Sequence, residues 1–414
     1  MILKNGTIVT GRGLIKSDIL IKGERIARIG KGMKGDEILN ADGLFILPGM
    51  IDAHVHLRDP GATQKEDFYT GTRAAIAGGV TTVIDMPNNT PPTTTPKALK
   101  EKENIARRKA VCDYGFHFGA DGKNIGEIKK VKPNSLKLYM GSTTGPLLIS
   151  DFPTLFLYFS SFDRKKPLCV HAEDEKIIRL FSLLHKEHWK KRPPIAAQVA
   201  VQNAISIARL LDRRVHICHA TTELEINIAK GYENATCEVT PHHLFLSSSD
   251  EKRLGAFGEM NPPLREKREQ ALLWKSLKKV DMIASDHAPH TKEEKRDGAK
   301  GVPGLETTIP LLLNAVNNRK LKLQDIARLT SENPARIFSI KKKGRIEKGY
   351  DADLMLVDMN EKWIVKGDGL ETKCRWTPFE GMKIKGKIKK VILRGSLVFD
   401  EGITCKMGTG KRVF

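Results

Sequence analysis

Asp52-Ala53-His54-Val55-His56-Leu57-Arg58-Asp59-Pro60-Gly61 follows directly on an apolar run from Leu47 to Ile51. An apolar run of this length reads as a buried β-strand, and in a strand residues i and i+2 point to the same face. His54 and His56 therefore aim two imidazoles at one point, the arrangement that metal binding requires. Arg58 comes next on that side, a fixed cation whose planar fork suits a carboxylate. One decapeptide thus proposes a metal with an anionic substrate beside it, and it places both at the C-terminal end of a strand.

Outward from this stretch the chain alternates strand and helix. Candidate strands are 50–56, 80–86, 111–118, 135–140, 167–171, 214–219, 236–240 and 282–286, with helical periodicity over 66–77, 96–108, 198–211 and 222–231. Eight strands in βα alternation predict a closed (β/α)8 TIM-like barrel over residues 50–343. A doubly wound open sheet is the alternative, weakened because no GxGxxG follows a strand and because the reactive side chains sit at the ends of many strands. Residues 1–49 read as short strands with glycine turns (1–10, 18–22, 25–29, 37–40, 45–47), and residues 344–414 return to that pattern (344–348, 353–357, 387–394, 396–399). Two β-rich ends predict one small β-sandwich assembled from both termini.

The 414 residues are 40% hydrophobic and 29% charged, the composition of an ordinary globular protein. No apolar stretch approaches the ~20 residues of a membrane span, and the N-terminus lacks the apolar core and cleavage site of a secretory signal. Cys112, Cys169, Cys218, Cys237, Cys374 and Cys405 are scattered without CxxC pairing, as expected of reduced thiols in a cytoplasmic protein. The net charge of +21 is spread over several lysine-rich runs with no interleaved aromatic residues. It reads as a solvated basic surface able to steer a small anion, with neither nucleic acid nor membrane as a partner.

Most of the middle strands end in a chemically loaded residue. His54, His56 and Arg58 close the first, Asn88 and Asn89 follow the second, Lys137 lies in the fourth, His171 and His219 end the fifth and sixth. His242 and His243 follow the seventh, and Ser285-Asp286-His287-Ala288-Pro289-His290 the eighth. Barrel enzymes build their sites at this face from several strand ends. Lys137 sits in the otherwise apolar Ser-Leu-Lys-Leu-Tyr, where a bare ammonium is costly. Read as structure, it snorkels or pairs with an acid; read as chemistry, it is a free amine carbamylated by CO2, whose two oxygens bridge two cations. The polar segment 291–302 after His290 reads equally as a mobile loop placed to cover a substrate and as a passive solvated loop.

The set HVHLRDPG, SLKLYMGSTTG, VHAED, HICHATT, EVTPHHL, NPPLR, SDHAPHT and PGLETTIPLLL, spread over essentially the whole chain, resembles the dihydroorotases of the amidohydrolase superfamily. The resemblance implies a cyclic amide hydrolase of pyrimidine biosynthesis that interconverts N-carbamoyl-L-aspartate and L-dihydroorotate. It implies two Zn2+ per chain: one held by His54, His56 and Asp286, a second by His171 and His219, with Lys137 carboxylated on its amine between them. It further implies that Asp286 moves the proton, as base in hydrolysis and acid in ring closure. Arg58, Asn88 and His290 then hold the substrate carboxylate, Asn261 adds a contact, and the backbone of Gly304 and Leu305 meets the ring edge. His242 and His243 fall to supporting roles. By analogy with relatives, the expected partners are a second copy in a homodimer and aspartate carbamoyltransferase, the preceding enzyme; the residues themselves specify neither.

Two other readings compete. A hydantoinase, dihydropyrimidinase or allantoinase shares the metal set but takes rings without this carboxylate, against which Arg58, Asn88 and His290 argue together. A metal-free scaffold relative typically loses metal ligands, whereas here all six positions are filled.

Overall fold

Eight segments whose side chains are buried on both faces pair in parallel, as strands must when helices cover a sheet from outside. A computed structural model describes residues 1–35 and 37–413. Among these the eight strands are Met50–Val55, Val80–Asp85, Asp113–Gly119, Ser135–Tyr139, Leu168–His171, Val215–Ile217, Ala235–Val239 and Met282–Ile283, each hydrogen-bonded to the next. The first and last are joined by a parallel bridge between Val55 and His287, where the His56 amide donates to the His287 carbonyl at 2.8 Å. This nearly closed barrel is the predicted (β/α)8 architecture.

Local chemistry fixes where the outer helices begin. Asp67 caps Phe68–Ala77 with a reciprocal bond from Thr70, Thr95 caps Pro96–Lys109, and Thr222 caps Glu223–Lys230. Each cap satisfies amides that the first turn leaves unpaired. No helix among the described residues is long and apolar enough to cross a membrane.

The chain ends meet in a six-stranded sheet, in the order Ser396–Asp400, Lys383–Leu393, Leu354–Ile364, Phe45–Pro48, Thr7–Thr10, Gly13–Lys16. A four-stranded sheet of Arg25–Gly30, Asp18–Lys22, Ile2–Lys4 and Ile38–Asn40 comes from the N-terminal side alone. Leu3, Ile8, Ile19, Ile46, Leu354, Leu356 and Ile392 form a common apolar cluster between them. Three details depart from the sequence reading. The expected 1–10 strand is broken at Asn5, which turns through φ 66°, and Gly13–Lys16 is an additional strand. The expected strand at 344–348 is not one: Gly344 takes φ +81° and sits where a Cβ would strike the Ser331 carbonyl, so the segment turns.

One ion cluster joins the terminal sheets to the barrel. The buried Lys343 amine lies 2.6 Å from Asp113 on the third barrel strand, 2.5 Å from Asp353 and 3.3 Å from Asp351. Arg394 pairs with the same Asp113 through its guanidinium, and its amide donates to Asp353 at 2.7 Å. Removing one partner of a buried pair leaves the others uncompensated, at a cost of roughly 3–5 kcal/mol. Lys343→Met is therefore expected to lower unfolding free energy by about that much, measured by chemical denaturation. A loss below about 1 kcal/mol, the scale of an exposed pair, would show that the cluster is not a fastening.

Candidate active site

The i, i+2 spacing of the first strand does what the sequence suggests. The Nε2 atoms of His54 and His56 each lie 3.2 Å from Oδ1 of Asp286, which follows the eighth strand. From the fifth and sixth strands, His171 Nδ1 and His219 Nε2 approach to 2.9 Å, and the His54 and His219 ring centroids are 5.3 Å apart. Four imidazoles and a carboxylate thus converge at one end of the barrel. The chain bends sharply to bring them there: Arg58, His219 and Asp286 adopt φ of 61°, 37° and 46°, a region non-glycine residues rarely enter. Such strain persists only where the surrounding structure enforces it.

Lys137 is wholly buried beside this cluster. Its amine donates to Cys218 Sγ at 3.0 Å and lies 5.1 Å from the Tyr139 ring centre. Among the described residues no carboxylate lies within salt-bridge distance of it, which removes the ion-pair reading. Burial opposes its charge, while the Cys218 sulfur beside it favours the charged form.

Three of the four imidazoles are also held from behind. Glu238 of the seventh strand bonds His54 Nδ1 on one oxygen and His216 Nε2, at 3.0 Å, on the other. His56 Nδ1 is 2.7 Å from Asn88 Oδ1, and His171 Nε2 is 3.0 Å from Glu173. Glu173 is itself gripped by Arg192 and, despite burial, stays well below the usual carboxylate range because of Arg192 and His171. Burial lowers the proton affinity of His54, His56, His171 and His219, with Arg58 adding to the effect at His56 and His171 at His219. Neutral imidazoles whose far nitrogens are bonded to acceptors are prepared metal ligands.

These residues fit a metal centre. His54, His56 and Asp286 present donor atoms all within 4.8 Å of one another. The near contact of His171 Nδ1 with His219 Nε2, both facing the same space, is what two ligands of one cation look like. Burial pushes the Asp286 carboxyl above the ordinary aspartate value, against the pull of His54 and Lys137.

The cavity above this cluster is lined by Arg58, Asn88, Tyr139, Thr144, Asn261, Ala288, Lys300 and Gly301 as well as the histidines. Arg58 is buried; its Nε donates to the Pro289 carbonyl at 3.1 Å and its Nη2 is 3.2 Å from His290 Nε2. No carboxylate among the described residues pairs with it: Asp59 is taken by Lys109 at 2.7 Å, and Glu66 by Thr70 and Thr372. Burial, with Arg58, Lys65 and Lys295 nearby, pushes the His290 pKa down to about 2; its ring stands behind Arg58, between the Arg58 guanidinium, the Lys65 amine and the Lys300 carbonyl, and does not itself line the cavity. Asn261 turns a buried Oδ1 with no partner at the cavity edge.

The structure redistributes some expected roles. Asn88 lines the cavity, but its oxygen is on His56 and its nitrogen donates to the Thr144 carbonyl at 3.0 Å. Gly304 and Leu305 do not reach the cavity: their amides point at His287 Nδ1, at 3.2 and 3.5 Å, because they open the helix Leu305–Asn317 behind the eighth strand. The backbone at the cavity wall is that of Lys300 and Gly301. Segment 291–302 is not an open loop: Thr291 caps a helix over Lys292–Arg296, and Lys295 donates to the carbonyls of Glu259, Ala299 and Gly301. His243 bridges Thr240 and the Pro262 carbonyl, and His242 Nε2 is buried without a partner; neither joins the metal cluster. Glu238 and Glu173 escaped the sequence reading, although Glu238 is a lone acid in an apolar strand, the same signal that singled out Lys137; Glu173 is masked by the acidic run Glu173-Asp174-Glu175.

Comparison with known proteins agrees with this geometry. Residues 45–398 match the model of the amidohydrolase family. Dihydroorotase of Pyrococcus horikoshii is 40% identical over 98% of this chain and 95% of its own. Dihydroorotase of Methanosarcina acetivorans is 39% identical over 99% and 94%. Among solved structures, L-hydantoinase (dihydropyrimidinase) from Arthrobacter aurescens superposes with TM-score 0.95 at 27% identity, covering 100% of this chain and 99% of that one. Dihydropyrimidinase from Brevibacillus agri gives TM-score 0.91 at 28% identity, over 100% and 98%. With its barrel, its converging histidines and relatives alike over nearly their whole length, the chain belongs to the amidohydrolase family, in its dihydroorotase branch.

Proposed function

We propose that this protein is a dihydroorotase, interconverting N-carbamoyl-L-aspartate with L-dihydroorotate and water. One observation carries the choice of substrate: a buried arginine, Arg58, opens onto the cavity without any carboxylate of the protein to pair with. An uncompensated buried cation is costly, and a ring bearing a carboxylate supplies the missing charge with a bidentate geometry that guanidinium favours. His290 stands beside Arg58 as a neutral ring that adds no charge of its own, and Asn261 offers its free oxygen to a ring N–H. The backbone of Lys300 and Gly301 takes the place at the ring edge once expected of Gly304 and Leu305. Asn88 serves mainly to orient His56.

Two Zn2+ fit the donor set, with His54, His56 and Asp286 around one, His171 and His219 around the other, and Lys137 between them. Bound there, such cations polarise a carbonyl and lower the pKa of water towards ~7. In the field of those cations Lys137 would lose one proton to solvent, and its free amine would add to CO2 with release of a second proton to solvent, giving a carbamate. Its negative charge then replaces the sulfur contacts that support the ammonium. In hydrolysis, water oxygen bonds to the ring amide carbon and the bond from that carbon to the ring nitrogen breaks. Asp286 accepts the proton of the attacking water and delivers it to the departing nitrogen. In ring closure it runs the same transfer backwards. Its raised proton affinity, imposed by burial, suits a group that must hold a proton midway. Glu238, Glu173 and Asn88 keep the imidazoles aimed throughout.

The hydantoinase-like fold makes a ring without the carboxylate the competing substrate, and Arg58 is the discriminator. Protein reconstituted with zinc and bicarbonate is expected to hydrolyse L-dihydroorotate and to leave dihydrouracil essentially untouched. Arg58→Met is expected to raise KM for dihydroorotate by on the order of 100-fold, with zinc content unchanged. Turnover of dihydrouracil in preference to dihydroorotate would move the protein to the dihydropyrimidinase side, and an unaltered KM in Arg58→Met would remove Arg58 from substrate binding.

A further inference from the structure

The segment between the long sheet strands Leu354–Ile364 and Lys383–Leu393 leaves the terminal domain and runs along the loops that carry the substrate groups. It is fastened at several points. Thr372 Oγ1 donates to the buried Glu66 at 2.5 Å, and the Lys373 amine reaches the Thr63 carbonyl at 2.7 Å and Asp67 at 2.5 Å. All three acceptors lie on the connection between Arg58 and the first outer helix. Further on, Trp376 is buried and its indole Nε1 donates to the main-chain carbonyl of His290 at 2.8 Å. The Trp376 ring stands edge to face against Phe257, with centroids 5.0 Å apart at 87°. Its other neighbour is Lys295, whose amine lies 5.7 Å from the ring centre. Lys295 is the same residue that gathers the carbonyls of Glu259, Ala299 and Gly301.

The consequence is a single covalent segment that touches the loop bearing Arg58, the loop bearing His290 and the wall formed by Gly301. The two loops come from the first and last barrel strands, whose ladder narrows to one bridge at Val55 and His287. Sheet pairing alone therefore does little to fix the distance between Arg58 and His290, which stand 3.2 Å apart at their tips. The bond from Trp376 is the one made by the terminal segment to the His290 backbone among the described contacts. It sits one residue beyond Pro289, whose carbonyl receives Arg58.

We infer that Trp376 is a positioning residue: through its indole N–H it sets the place of His290 opposite Arg58, and so tunes recognition of the substrate carboxylate. The inference rests on the carboxylate reading of Arg58 and His290 given above. It assigns the terminal β domain a share in specificity, although none of its described side chains lines the cavity. A neutral hydrogen bond contributes on the order of 1 kcal/mol, so a lost N–H is worth several-fold in affinity.

The test uses full-length zinc-loaded protein, with orotate as the carboxylate-bearing probe and uracil as the probe without it, both followed by calorimetry. Trp376→Phe and Trp376→Tyr keep an aromatic ring and remove the indole donor. Phe257→Leu thins the packing beneath the ring and leaves the donor in place. Orotate affinity is expected to fall about fivefold in the Trp376 variants and to hold in Phe257→Leu. Uracil affinity and zinc content are expected to hold in all three, and KM for dihydroorotate to follow orotate. Equal losses for orotate and uracil, an unchanged orotate affinity, or an equal loss in Phe257→Leu would each overturn the inference. So would failure of both Trp376 variants to fold with zinc, which makes the residue structural. Wild-type protein that binds uracil as well as orotate would instead defeat the carboxylate reading itself.

Discussion

A lysine in the middle of an apolar strand, with no carboxylate to meet it, is the constraint around which this site is arranged. Among the described residues Lys137 lies fully buried with only the Cys218 sulfur as a hydrogen-bond partner. Elsewhere the fold treats buried lysines differently. Lys343 has three aspartates, Lys102 has Asp85 at 2.5 Å, and Lys295 has three carbonyls. A protein that partners its other buried lysines so fully leaves Lys137 to be completed by something it does not itself contain. Under the proposed function, conversion of the amine to a carbamate between two cations would complete it, reversing the sign of its charge where the four imidazoles and Asp286 converge.

The rest of the site is built to hold that arrangement still. Backbone strain at Arg58, His219 and Asp286 turns three side chains inward at the ends of the first, sixth and eighth strands. Behind them Glu238 ties together the first, sixth and seventh strands through His54, His216 and the His219 amide, the last at 3.2 Å. The outer ring of acceptors is charged where the ligand lies deep (Glu238, Glu173) and neutral where it faces the cavity (Asn88). Two kinds of unfinished electrostatics thus sit side by side: a cluster lacking cations, and an arginine lacking an anion. Under the proposed function the first would supply the metal chemistry and the second would select the substrate.

Much of this was legible in the sequence because strand periodicity converts spacing into direction. The pair His54 and His56 shares a face by the rule of two, and the ends of parallel barrel strands share a rim, so His171, His219 and Asp286 were placed near that pair without a structure, while their role as ligands came from the family resemblance. Lys137 stood out because its neighbours are apolar. The same test, applied evenly, finds Glu238. What did not follow is what loops decide. Gly304 and Leu305 were displaced from the cavity by opening a helix, and Lys300 and Gly301 stand there instead because Lys295 folds segment 291–302 back on itself. Asn88 was expected at the substrate, yet its side chain is occupied by His56 and Thr144. The turn at Gly344 and the break at Asn5 depend on left-handed backbone that apolar patterning does not report.

The most direct measurement is the fate of Lys137 itself. Protein reconstituted with zinc in 13C-labelled bicarbonate is expected to show one carbamate carbon resonance and two zinc ions per chain. Both the resonance and the second zinc should be lost in Lys137→Met. Full zinc occupancy and dihydroorotate turnover with no carbamate resonance would contradict the account, leaving the buried amine at the centre of the barrel without the role assigned to it.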